Sequence, residues 1–120
     1  MFGAGNVGRG FVGQLFSESG YEVVFVDVDE PLLAALAQRR GYTIQLVDND
    51  TRKLEQVRPV SVLHSGRQAG EVAAVLAGST LAATAVGARI LPLIAPLVAQ
   101  GIRLRAQAGS QEYLNIIICE

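Results

Sequence analysis

The sequence is poor in the residues that build metal centres, disulfide frameworks and most acid–base sites: 120 residues hold one cysteine, one histidine, one methionine and no tryptophan. The lone Cys119 excludes an internal disulfide and a cysteine-based zinc site, and it agrees with a reducing cytoplasm. Excess charge is missing as well. Ten basic residues stand against eleven acidic ones, and the arginines are scattered singly or in pairs. The basic footprint of a nucleic-acid binder is therefore lacking. A long apolar run is also absent: residues 72–88 carry no charge, but Gly78, Ser79 and Thr80 interrupt them. That stretch falls short of the about 20 apolar residues that span a bilayer. Neither nucleic acid nor membrane is expected as a partner, and no signal peptide precedes the first glycine.

What is present is half hydrophobic, which suits a parallel sheet buried on both faces. The length allows one core and not two, so residues 1–120 are expected to form a single domain. Only Met1 and Phe2 precede the first glycine, where a strand normally takes about 5 residues. Either the start is trimmed or the domain works with a shortened first strand. Val7, Phe11, Val12, Leu15 and Phe16 recur at helical spacing, with Gly20 placed to end the helix. Residues 23–28 are a continuous apolar run that ends in acid, the pattern of a buried parallel strand. Asp29 can cap the next helix, Pro31 fits its first turn, and Gly41 closes it after Arg39 and Arg40. Period-two alternation at 42–47 and 53–57 around Asp48-Asn49-Asp50-Thr51 predicts an inserted β-hairpin. Strands at 60–63, 81–86 and 114–119 alternate with helices at 69–76 and 90–99, the last with a kink expected at Pro96. The result is an α/β, doubly wound, mostly parallel sheet of the Rossmann type carrying that hairpin.

The chemistry concentrates at the start. Gly3-Ala4-Gly5-Asn6-Val7-Gly8 is a G-x-G-x-x-G. In a dinucleotide site Gly3 permits the tight turn, Gly5 lets backbone approach a pyrophosphate, and Gly8 lets helix pack close to sheet. Alone the pattern is weak. Here a helix and then a hydrophobic strand follow, and that strand ends in Asp27, nineteen residues after Gly8. The fingerprint expects an acid about 20 residues on, bonded to a ribose 2′-OH, and a carboxylate there repels a 2′-phosphate. NAD is favoured over NADP. Without a ligand the same residues are a glycine turn and a solvated strand end. Val86 and Gly87 end the fourth strand on the edge that carries ligands in open α/β sheets, as cofactor lining or as a plain turn. Arg9 either screens phosphate charge or is simply solvated.

Other candidates are weaker. Asp48, Asn49 and Asp50 lack the glycine and distal glutamate of a calcium loop, so a turn is expected and no metal site. His64 has no partner nearby in sequence, and Ser65 and Gly66 beside it offer nothing to orient it. It reads as a strand-end histidine on the adenosine side of such a sheet. Cys119 reads as an inert residue of an apolar strand. No catalytic residue is assigned.

Phe2-Gly3-Ala4-Gly5-Asn6-Val7-Gly8-Arg9-Gly10-Phe11 resembles the opening motif of the mannitol-1-phosphate 5-dehydrogenases, a branch of the long-chain polyol dehydrogenases. Three further segments match in order: Phe25-Val26-Asp27-Val28, Thr84-Ala85-Val86-Gly87 and Leu114-Asn115-Ile116-Ile117-Ile118-Cys119-Glu120. The likeness, hairpin included, spans essentially the whole chain. It implies a cytoplasmic oxidoreductase of mannitol metabolism that passes hydride between NAD and a polyol phosphate, interconverting mannitol 1-phosphate and fructose 6-phosphate. It carries over the cofactor half: Gly3, Gly5, Asn6, Val7, Gly8, Asp27, and with them Arg9, Val86 and Gly87. The family has a longer first strand and, after its cysteine-glutamate pair, an asparagine and a large helical substrate domain that holds the catalytic lysine with its asparagine and histidine helpers. None of these maps onto this chain, which is expected to supply cofactor binding and to meet its sugar-phosphate substrate through that missing C-terminal domain. A free-standing NAD(H)-binding or sensing module, and the cofactor domain of a related sugar-acid reductase, are the alternatives.

Overall fold

The computed structural model describes all 120 residues, Met1–Glu120. Its elements run in the order α1 (Gln14–Glu18), β1 (Val23–Asp27), α2 (Glu30–Arg39), β2 (Tyr42–Val47), β3 (Arg52–Val57), β4 (Val60–His64), α3 (Ala69–Gly78), β5 (Leu81–Thr84), α4 (Leu91–Gln107) and β6 (Asn115–Ile118). β1 pairs β4 in parallel with Asp27 opposite His64, and β5 pairs β6 in parallel with Thr84 opposite Ile118. Between these pairs lies Phe2, bridged in parallel to both Val26 and Thr84. Three bonds of 2.8 Å close the join: Phe2 N to the Ala83 carbonyl, Gly3 N to that of Val26, and Ala85 N to that of Phe2. The spatial order is therefore β4-β1-Phe2-β5-β6, and the chain winds outward from its centre in both directions. The hairpin β2–β3 is antiparallel and separate from this sheet, with Tyr42 opposite Val57.

Each face of the sheet has its own core. Strand alternation sends Val23 and Phe25 to one side, where they meet Ala4, Leu36, Val57 and Val60. Val26 and Phe2 point to the other, against Val72, Leu76, Ala82 and Ile94 from α3, β5 and α4.

Three elements differ from the sequence expectation. The helix after the glycine turn is wound as a π-helix over Gly8–Gly13 before it becomes α1. Tyr42 Oη donates to the Arg9 carbonyl at 2.7 Å, a contact from outside the helix onto its wider turn. A Cβ on Gly13 would stand 2.6 Å from Tyr42 Oη and 2.7 Å from Phe25 Cζ, so the glycine permits this contact. The wider winding leaves Val7, Phe11 and Leu15 at 50%, 61% and 44% exposed, off the face assigned to them by a period of about 3.6. α2 starts as expected, with Asp29 Oδ1 accepting from Leu32 N at 3.0 Å. Its left-handed stop is Arg40, φ 52°, rather than Gly41. Gly41 serves close approach instead, since a Cβ there would lie 2.6 Å from the Val57 carbonyl oxygen.

The last helix does not end near Ala99. α4 runs unbroken for 17 residues through Pro96, which lies on the exposed side of the helix. Gly101 packs against Leu76, and a Cβ there would come within 2.7 Å of its Cδ2. Arg105, 8% exposed, anchors the far end: its guanidinium donates to the carbonyls of Ala77 at 2.8 Å, Ser79 at 2.5 Å and Glu112 at 2.6 Å. No helix is long and apolar enough to cross a membrane.

Candidate functional site

Consecutive connections leave the central position in opposite directions, so a crevice opens at the C-terminal edge between Phe2 and β5, where open α/β sheets take their ligands. A groove of about 310 Å³ lies there, lined by residues that include Gly3, Gly5, Asp27, Ser65, Val86 and Ile90. A second cavity, about 220 Å³, sits at the opposite end of the strands among Val23, Val24, Leu81 and Ala82. Its lining is mainly apolar, whereas the glycine turn and Asp27 face the first.

The glycines divide their tasks. Gly3 has φ 93°, and a Cβ there would lie 2.8 Å from the Ala85 carbonyl carbon. A Cβ on Gly8 would overlap the Gly3 carbonyl oxygen. These two glycines are demanded by the fold itself. Gly5 is exposed, and a Cβ there would meet nothing within 4 Å. Its side faces open groove.

Asp27 is fixed by its own strand end and by the glycine turn. Its Oδ2 accepts from Ala4 N at 2.7 Å, while Oδ1 accepts from Val28 N at 2.7 Å and Asp29 N at 3.1 Å. Three amide donors thus orient a carboxylate at the groove, leaving acceptor capacity for a hydroxyl.

The structure brings Gly3, Gly5, Asp27 and Val86 together on the groove. Asn6 and Val7 are exposed on the turn and first helical residues, outside the groove lining, and Gly8 is buried beneath the turn. Arg9 is half-buried, its Nε without a hydrogen-bond partner, and its guanidinium lies beside Tyr42 rather than on the groove. Gly87, φ 89°, turns the chain out of β5. Its amide donates to Glu120 Oε2 at 2.6 Å, and that of Val86 to Oε1 at 3.3 Å. Glu120 is the residue that sequence reasoning passed over; it stood inside a matched segment, but nothing in the sequence shows that β5 and β6 end side by side.

His64 is better oriented than its neighbours suggested. Its Nδ1 accepts from the amides of Gly66 and Arg67, each at 3.1 Å, which fixes the ring at the strand end. It lies at the end of β4, the outermost strand on the Asp27 side. Cys119 is half-buried just past β6, and Asp48–Thr51 forms the hairpin turn, with Asp48 Oδ1 accepting from Asn49 N at 2.7 Å.

Tyr42 ties the hairpin to the helix that follows the glycine turn. Burial pushes its phenol up from 10.0 to about 12, against a smaller lowering by the Arg9 charge, so it stays a donor. Tyr42→Phe is expected to cost ~1 kcal/mol in a urea melt at neutral pH. The raised value means that the folded state favours the protonated phenol, so this contribution stands below pH 10 and fades as pH climbs towards 12. The gap between the two proteins should therefore close over that window; a gap that persists there would rule out the hydroxyl as its source.

Fold and groove together define a Rossmann-type α/β domain with a glycine-rich turn at its switch point. The chain belongs to the mannitol dehydrogenase Rossmann domain family, whose model matches residues 1–120. It is 44% identical over 119 residues to the mannitol-1-phosphate 5-dehydrogenase of Enterococcus faecalis and 45% identical to that of Bacillus subtilis. Each match covers 99% of this chain and 31% of the relative, so the chain spans about a third of the length of these curated proteins.

Proposed function

We propose that the chain binds NAD(H) in the groove at the C-terminal edge of its sheet and serves as the cofactor domain of an oxidoreductase that interconverts mannitol 1-phosphate and fructose 6-phosphate. The observation that carries the reading is the bond from Ala4 N to Asp27 Oδ2, which joins the glycine turn to the carboxylate at 2.7 Å. One geometry then presents backbone for a pyrophosphate and an acceptor for a ribose diol. Gly3, Gly5, Asn6, Val7 and Gly8 are assigned to the pyrophosphate turn, with Arg9 behind it, Asp27 to the adenosine ribose, and Val86 and Gly87 to the far half of the groove. The open space beside Gly5 fits this assignment.

The cofactor, when bound, supplies the hydride chemistry. The chain's own residues bind and orient it. The proton donor at the sugar carbonyl and the groups that hold the substrate are assigned to a further domain, in keeping with relatives about three times as long as this chain. A lone thiol suits the cytoplasm proposed as its setting.

The purified chain is expected to bind NADH more tightly than NADPH, because Asp27 accepts from a 2′-OH and repels a 2′-phosphate. Asp27→Ala should narrow the difference from both sides, weakening NADH and relieving NADPH. Fluorescence titration of both nucleotides measures it, and equal affinities in the unmutated chain would remove Asp27 from this role.

A further inference from the structure

Beyond Thr84 the β5–β6 ladder stops: Cys119 N makes the last bond, to the Thr84 carbonyl at 2.9 Å, and Ala85 N turns the other way, to Phe2. The amides of Val86 and Gly87 are left without a strand partner, and an unpartnered amide at a strand end takes water or a side chain. Both are taken by one carboxylate, Glu120, reaching across from the neighbouring strand end. A carboxylate is an acceptor only, which is what two converging N–H groups require.

The turn so held has three links to the groove. Val86 lines it, and Val86 Cγ1 would lie 3.3 Å from a Cβ placed on Gly3, so Val86 also packs on the glycine turn. The Gly87 carbonyl accepts from Ile90 N at 2.9 Å, and Ile90 lines the groove as well. Gly87 itself has φ 89°, a conformation with no intrinsic advantage, held by its surroundings.

We propose that Glu120 is a positioning residue for the nicotinamide half of the dinucleotide, fixing the Val86–Gly87 turn in the shape that forms that end of the groove. This rests on the NAD(H) reading above. Glu120 lies past β6, on the opposite side of the central position from Asp27, so its influence falls on the half of the groove away from the adenosine ribose. The carboxyl is also held below its usual range. Desolvation works against this, but the Thr84 hydroxyl and the amides of Val86 and Gly87 outweigh it.

The test uses the 120-residue chain with NADH and ADP-ribose as probes, since the second lacks the nicotinamide. Glu120→Gln keeps the shape but sets an amide NH2 against a backbone N–H. NADH affinity should fall roughly tenfold, the effect of losing one charge-assisted bond, while ADP-ribose affinity stays unchanged. Exchange of the Val86 and Gly87 amides should quicken in the unliganded variant while its melt is retained, because the side chain is exposed. Glu120→Ala should reproduce both changes. Equal loss of both ligands would assign Glu120 to general stability and overturn the inference, as would unchanged NADH affinity. Failure of the unmutated chain to bind either ligand would overturn the NAD(H) reading itself, and this inference with it.

Discussion

Gly5→Val is expected to abolish NADH binding, with affinity down at least about 100-fold, while the thermal melt stays where it is. Two facts separate the outcomes. In the folded chain a Cβ at residue 5 meets no atom within 4 Å, so a side chain there starts into open space. The same open space is where backbone must come into contact with a pyrophosphate, and two γ-methyls would stand in it. Gly3 and Gly8 make the internal controls, because a Cβ at either runs into the chain's own backbone and should cost folding first. Titration of NADH fluorescence beside a circular dichroism melt decides the matter. A Gly5→Val chain that melts normally and still binds NADH would place the cofactor elsewhere.

Arg105→Ala is expected to destabilise the fold by ~2–4 kcal/mol, enough to lower the melting temperature by about 10 °C or more. The side chain is buried and its three acceptors are all backbone carbonyls, two of them at the end of α3. A guanidinium suits that place because the carbonyl end of a helix carries partial negative charge, and because its fixed fork reaches several acceptors together. Truncation leaves the carbonyls of Ala77, Ser79 and Glu112 without their donor, which costs more than loss of the contacts alone. Arg105→Lys should recover only part of the loss. Urea melts measure it: the midpoint should move with the slope unchanged, and NADH binding by the folded fraction should be unaffected because Arg105 is remote from the groove. A shift of less than about 1 kcal/mol would show that water replaces the guanidinium readily.

Residues whose role depends on near neighbours were legible in the sequence. The Asp29 cap, the Tyr42–Val57 hairpin and the apolar run of β1 each announce themselves within one short stretch of sequence, and each stands where it was expected. Residues whose role depends on distant partners were not. The π-helical winding of Gly8–Gly13 involves a hydroxyl 33 positions away from Arg9, and the anchoring of Arg105 needs carbonyls 26 and 28 positions back. For the candidate site the same division holds. The glycine spacing and Asp27 are local patterns, whereas Glu120 meets Val86 and Gly87 only because two parallel strands finish together.

The two cores lie on opposite faces of the sheet, and the short segment from Phe2 to Ala4 belongs to both: Phe2 to the side of α3 and α4, Ala4 to the side of the hairpin and α2. Whatever grips the backbone between them acts as a clasp across two compartments that otherwise meet only through the strands. Ligand binding on the turn that starts at Gly3 would then be felt as cohesion throughout the domain, since Gly3 is flanked by Phe2 of one compartment and Ala4 of the other.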